Sequence, residues 1–410
     1  MPPSGLVAVL ASLPGVSAGL LEALRRAAVA SGAVHCALVG GTVRDLLLHR
    51  SGLVPWSGVP DLDLVVEGDL QALVGCLADH LEPQRLSRSQ WHDSFGTVSL
   101  TLDGISLDLA RARQESYPAP AENPVVRPGT LASDLVRRDF SINAMALDLI
   151  SDVLIDPHGG QAALQARSLV FLHAASVADD PTRVIRAARY SARLGLDLSE
   201  DSRTQLATTL SSWPWPAWNG GGVVPPALST RLRMELDRLL NHEPWGEAFD
   251  RLSCWGAMPL VDEGLQLDPQ RRRRLRRAQR LGLPLMPAWL AAASQPLVVA
   301  QRLQIPGQQQ RWLAGLETLQ RWLQDAAPPA SASPSVWTQA LEQGDWPAQS
   351  VALLICLNHP HWRMLWRWWA RWRTVQSPVT AKELMAAGWT AGPELGGELR
   401  RRRFQCLDLR

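Results

Sequence analysis

Two aspartates separated by one leucine, Asp61-Leu62-Asp63, are the residues of this chain whose types and spacing point most directly to chemistry. They stand in an alternating segment, Asp61 to Val66, that reads as a β-strand. A period of two turns both carboxylates to one face while Leu62, Leu64 and Val66 turn to the core. Like charges held that close repel and call for a cation or a hydrogen-bond donor between them. Standing alone, such a pair reads as a structural or surface feature. Asp108 raises its value, because it lies on a second candidate strand, Ile105 to Ala110, with Leu107 and Leu109 pointing the other way. If the two strands are neighbours, three carboxylates offer the hard oxygen ligands that Mg²⁺ prefers. Two such ions ~3.5–4 Å apart can activate an attacking hydroxyl and neutralise a triphosphate leaving group.

Gly40-Gly41 closes a short apolar segment, His35 to Val39, and precedes a helical one, Val43 to His49. Backbone N–H groups at such a helix start could cradle phosphates. Arg44 would add charge there, or it could form a salt bridge with Asp45. The spacing is neither a dinucleotide fingerprint nor a Walker loop. A nucleotide would be held mainly through its phosphates and metals.

The elements that must position these groups follow from periodicity and turn signals. Residues 20 to 31 read as a helix. Asp69 can cap a helix over Leu70 to Asp79, and Asp103-Gly104 joins Gly96 to Leu102 and Ile105 to Ala110 as a hairpin. Arg113 to Gly129, with Pro118, Pro120, Pro124 and Pro128, reads as a loop. Asn143 to Leu149 reads equally as helix or strand, and Asp156 to Gly160 as the turn that ends a first domain. From Pro181 onward the pattern is helical, broken by a Trp-, Pro- and Gly-rich stretch from Trp213 to Pro226.

With 410 residues, two to four domains are expected. Apolar residues at 46% and charged residues at 20%, without low-complexity tracts, indicate a folded chain rather than a disordered one. Sixteen of the eighteen tryptophans lie at or after Trp213, so the two halves differ in composition. Trp362, Trp366, Trp368, Trp369 and Trp372 resemble a stacking platform for bases, yet a packed helix face is the preferred reading. The net charge of +2 says little about nucleic acid. Arg271 to Arg280 and Arg400 to Arg403 are basic runs that read as solvated helix faces unless the chain is otherwise an RNA enzyme. Five scattered cysteines without metal-ligand spacing read as reduced core thiols in a cytoplasmic chain. The N-terminus lacks an early basic region, so no secretory signal is expected, and no apolar stretch demands a membrane span.

Four segments in order, LVGGTVRDLLL (Leu38 to Leu48), DLDLVVEG (Asp61 to Gly68), DLVRRDFSINAMALDL (Asp134 to Leu149) and DDPTRVIRAARYSARLGL (Asp179 to Leu196), resemble the class II tRNA nucleotidyltransferase and bacterial poly(A) polymerase family. The likeness covers about residues 35 to 245. It implies an α+β multidomain protein: a polymerase-beta-like nucleotidyltransferase head over 1–170, a helical neck over 171–245, and a helical body and tail over 246–410 that bind tRNA. It also implies that Asp61, Asp63 and Asp108 are catalytic ligands of two Mg²⁺ ions. Gly40, Gly41, Arg44, Arg137, Arg138, Asp139 and Asn143 would bind the nucleotide and its phosphates.

Asp180 and Arg183 would select the base. A carboxylate accepts from the amino group of C or A, and a guanidinium donates to the adjacent ring nitrogen. Without the resemblance, the same residues read as a salt bridge capping a helix. Asp179, Arg186, Arg189, Arg231 and Glu235 would support the neck, although Thr230 stands where relatives usually carry a glutamate and His49 where they often carry glycine. In an RNA enzyme, Arg272, Arg273, Arg276 and Arg277 become candidates for RNA binding. The expected activity is transfer of CMP and AMP from CTP and ATP to the 3′ end of tRNA, with no obligate protein partner. Poly(A) addition, CC-only or A-only addition, and an inactive RNA-binding protein are the alternatives.

Overall fold

The computed structural model describes residues 5–58, 61–82, 85–92, 96–212 and 226–409. It divides into two compact units, Met1–Leu228 and Ser229–Arg410. A mixed α/β region over residues 6–170 precedes a predominantly helical remainder. No helix among the described residues is long and apolar enough to cross a membrane.

Among the described residues, the first unit is built on a seven-stranded sheet. Its strands are β1 (His35–Val39), β2 (Asp61–Glu67), β3 (Leu86–His92), β4 (Thr97–Leu102) and β5 (Ile105–Arg111), with β8 (Ala146–Asp148) and β9 (Val153–Ile155) following a separate ribbon of β6 (Arg113–Ser116) and β7 (Val125–Pro128). Spatial order is β3-β4-β5-β2-β1-β8-β9. The expected hairpin joins β4 to β5, and Asp103 and Gly104 both take positive φ, 52° and 79°, as a two-residue turn of the mirror-image type requires. The pair β2 and β5 is parallel, with Asp63 opposite Asp108.

Each face of the sheet has its own cover. Ala37, Val39, Val65, Ala112 and Ala146 pack against Leu131 and Leu135 of the helix Leu131–Val136. Cys36, Leu38, Leu64 and Val66 are also buried and alternate with them along β1 and β2, so they belong to the opposite face. The helices Ala18–Ala30 and Leu70–His80 pack together. As expected, Asp69 caps the second of these by accepting from the N–H groups of Gln71 and Ala72.

Several expectations need correction. Arg113 to Gly129 is not wholly a loop, because β6 and β7 pair across its prolines and Pro128 sits where no ladder N–H is needed. Asn143 to Leu149 is divided between a 3₁₀ turn at Ser141–Asn143 and strand β8. Strand β3 has a polar sequence and gave no sequence signal. The five cysteines are free, but they are not all core thiols, since Cys254 is exposed. Burial pushes the Cys36 and Cys356 thiols up to about 12. The break from Trp213 lies outside the described residues up to residue 225.

The helix Thr182–Leu194 ends at Gly195 in the left-handed conformation, φ 64°. In the second unit, the helices Arg271–Arg280, Leu285–Leu290, Gly307–Asp325 and Ala348–Cys356 bury Leu275, Trp289, Leu316 and Leu353. Of Trp362, Trp366, Trp368, Trp369 and Trp372, only Trp368 fits the expected packed face fully, and Trp366 is exposed.

Candidate active site

One face of β2 organises the site. Asp61, Asp63, Val65 and Glu67 share that face by alternation. Glu67 Oε2 accepts from the N–H of Leu131 at 2.6 Å and so fixes the start of the helix Leu131–Val136, while Val65 packs beneath it. The two aspartates extend beyond this packed stretch and are exposed. Parallel pairing with β5 brings Asp108 to the same place, and carboxylate oxygens of Asp61, Asp63 and Asp108 lie within 4.8 Å of one another. The Ser99 hydroxyl donates to Asp108 Oδ1 at 2.6 Å from the neighbouring strand β4. Desolvation pushes the Asp63 carboxyl above its usual range; Asp61 and Asp108 add to the effect, and Arg138 opposes it. Three converging acidic oxygens of this kind could coordinate a divalent cation.

Gly40 faces the cluster. Its φ of 68° suits glycine, and a Cβ there would lie 3.5 Å from Arg138 Nη1 and 3.8 Å from Asp63 Oδ2. The helix Gly41–Arg50 begins at the next residue. Arg44 is buried and forms the salt bridge with Asp45, Nε to Oδ1 at 2.8 Å, while its Nη1 donates to Asn143 Oδ1 at 2.9 Å. Asn143 in turn donates to Asp139 Oδ1 at 2.9 Å, and Arg186 donates to Asp139 Oδ2. Burial alone would raise the Asp139 carboxyl, but Arg186 and Asn143 outweigh it and hold Asp139 below its usual range.

Asp134 is a residue that sequence reasoning quoted only as part of a motif. It is 0% exposed, and its two oxygens hold Arg137 (Nη2 at 2.6 Å) and Arg138 (Nη2 at 2.9 Å). Glu115 of β6 gives Arg137 a further partner at 3.1 Å. The available signal was the i, i+3 and i, i+4 spacing of Asp134 to the two arginines. Tyr117, the residue after that strand, was also missed. Burial and Glu115 push its hydroxyl up to about 12, and Arg183, Asp180 and Asp179 are close enough to contribute.

Asp180 and Arg183 sit at the start of the helix Thr182–Leu194. Asp180 Oδ1 accepts from the N–H and hydroxyl of Thr182. Arg183 is only 4% exposed, and it donates to the Ser176 hydroxyl and, at 2.8 Å, to the carbonyl of Arg137. Asp179 lies 3.9 Å from His173. Arg189 is buried on the same helix. Within the second unit, Arg231 is half-buried and Glu235 is buried with Arg238 at 3.0 Å.

The basic run forms the helix Arg271–Arg280, and it is not uniformly solvated. Arg271 and Arg274 turn inward to Asp250 and Asp268, and Arg272 also pairs with Asp250. Arg277 donates to the Ile355 carbonyl and to Asn358. Arg273 and Arg276 are exposed and form no ion pair among the described residues.

Residues 36–170 match the family of the poly(A) polymerase head domain. The chain is 38% identical over 276 residues to the CC-adding tRNA nucleotidyltransferase of Deinococcus radiodurans, spanning 63% of this chain and 62% of that protein. It is 33% identical over 232 residues to the A-adding tRNA nucleotidyltransferase of Aquifex aeolicus, 56% of this chain but 26% of that protein. The chain thus spans about three-fifths of the first relative's length and about a quarter of the second's. In fold it is similar to a CCA-adding enzyme in an apo form, with TM-score 0.75 at 23% identity over 98% of this chain and 95% of the other. It is likewise similar to the Thermotoga maritima CCA-adding enzyme complexed with tRNA, with TM-score 0.70 at 22% identity over 99% and 95%.

Proposed function

We propose, from the match of residues 36–170 to the poly(A) polymerase head-domain family and the similarity of the chain to tRNA nucleotidyltransferases, that it transfers CMP and AMP from CTP and ATP to the 3′ end of tRNA without a template. The observation that carries this reading is the convergence of Asp61, Asp63 and Asp108 beside Gly40 and Arg138. The donor set is all carboxylate oxygen, which fits Mg²⁺ in kind. Two Mg²⁺ ions held by these residues would supply the charge that makes a 3′-hydroxyl nucleophilic and neutralises a triphosphate.

The chain's own groups do the positioning. Arg137 and Arg138, aligned by Asp134, face the triphosphate together with the backbone at Gly40 and Gly41. Arg44, Asn143 and Asp139 form the hydrogen-bonded floor beneath the ribose. Asp180 and Arg183 read the base edge. Asp179, Arg186, Arg189, Arg231 and Glu235 brace the neck. On this reading residues 1–170 act as the head, 171–245 as the neck and 246–410 as a tRNA-binding body and tail. Arg272, Arg273, Arg276 and Arg277 lie on the RNA side, Arg273 and Arg276 foremost, since Arg272 is paired with Asp250 and Arg277 is held by the Ile355 carbonyl and Asn358. Action in the cytoplasm without an obligate protein partner completes the proposal.

The 38% identity to a protein named CC-adding makes addition of C alone the second reading. Chelation tests the shared requirement. Excess EDTA should abolish addition of labelled CMP to tRNA, and added Mg²⁺ should restore it; transfer that persists in EDTA would contradict a carboxylate metal site.

A further inference from the structure

The C-terminal unit carries a second place whose chemistry suits a nucleic acid. The helix Trp362–Ala370 turns Met364, Leu365 and Trp368 inward and leaves Trp366 42% exposed. Beside it lies a cleft of about 170 Å³ lined by Leu281, Ile355, Trp362 and Trp366 together with Arg277 and Arg280. Arg277 is held in place there: Nη1 donates to the Ile355 carbonyl at 3.2 Å, Nη2 to Asn358 Oδ1 at 3.0 Å, and the guanidinium lies 5.8 Å from the centre of the Trp362 ring.

The same two arginines also line a larger, polar cleft of about 550 Å³, where they join Arg272, Arg273 and Arg276. Arg273, Arg276 and Arg280 are exposed and form no ion pair among the described residues. An indole-walled slot thus abuts a row of uncompensated cations. A ligand that fills both places needs a flat apolar face with anions next to it. Nucleotides in a strand have that form, because bases stack on aromatic side chains while the phosphates meet arginine. Cations alone would also suit an acidic peptide, and the adjoining slot is what favours a base. A continuous duplex keeps its bases stacked inside and would engage the arginines only.

We propose that this slot receives one unstacked base of a looped or single-stranded RNA segment, with the flanking phosphates on Arg273, Arg276 and Arg280. The inference rests on the proposed function only for its choice of RNA as the polymer. Fluorescence anisotropy of the full chain with a labelled RNA hairpin bearing a uridine loop, and with the same stem as a blunt duplex, tests it. Trp366→Ala should weaken hairpin binding about tenfold, the loss of one base stack, and leave the duplex unchanged. Trp366→Phe should recover most of the loss, which also guards against misfolding. The pair R273Q/R276Q should weaken both RNAs and flatten the salt dependence.

Unchanged hairpin affinity in Trp366→Ala, or equal losses on hairpin and duplex, would overturn the proposal. So would sedimentation showing that the exposed indole instead joins two copies of the chain. Nucleotide addition to a short primer reports on the head separately. Loop selectivity without any transfer would remove the transferase reading and keep the slot; transfer without loop selectivity would do the reverse.

Discussion

Asp61→Ala and Asp63→Ala chains should each lose nucleotide transfer by about 10³-fold or more while binding tRNA nearly as tightly as the parent chain. The expected loss is large because charge developing on a transferring phosphoryl group is stabilised mainly by ions that these carboxylates would hold. The structure also makes the test clean. Both aspartates are exposed at the open end of β2, and neither caps a helix or fills the core. Their mutual repulsion opposes folding, so either alanine should leave the thermal midpoint unchanged or raise it slightly. Glu67 on the same face behaves differently, since it anchors the N–H of Leu131. Retention of more than a few per cent of turnover in both alanine variants would remove the metal role.

Substituting Arg183 with alanine should lower discrimination of CTP and ATP against UTP and GTP by about tenfold or more. G and U present hydrogen-bonding groups in the opposite order at the edge being read, and a mismatched base would leave a buried charge unpaired. Arg183 also donates to the carbonyl of Arg137, so the variant loosens the segment proposed to hold the triphosphate. Absolute rates will therefore fall for every nucleotide. The ratio of kcat/KM values between bases is the informative readout, and an unchanged ratio with uniformly reduced rates would assign Arg183 to anchoring alone.

Local signals carried much of this site, and long-range ones did not. Alternation put Asp61 and Asp63 on one face, and Asp103-Gly104 joined the correct two strands because a two-residue turn is written in adjacent residues. The parallel pairing that sets Asp108 opposite Asp63 depends on chain that leaves β2 and returns through β3 and β4, so no local pattern states it. Prolines concealed the β6–β7 ribbon, since an isolated ribbon can place a proline where a central strand cannot. Asn143 to Leu149 offered no single period because the backbone changes from a 3₁₀ turn to a strand within it.

The arginine run shows a different limit. Seven arginines within ten residues look alike in sequence, yet Arg271 and Arg274 lie inside the unit, where Asp250 and Asp268 partner them. Which side of a short helix is buried is decided by the neighbours it meets. Arg44 and Asp45 illustrate the same point on a small scale: adjacent residues of opposite charge leave the pairing open in sequence, and the fold joins them in a salt bridge with Arg44 buried.

The most direct test supplies the purified chain with Mg²⁺, one nucleoside triphosphate at a time, and three tRNAs that end before the CCA, after its first C or after its second C, and then reads the 3′ ends. Incorporation of C on the first two and A on the third, with neither U nor G on any, is the predicted result. Extension by C alone would select the CC-adding reading, and a long A tail would select poly(A) synthesis. No extension of any of the three by any nucleotide would contradict the account.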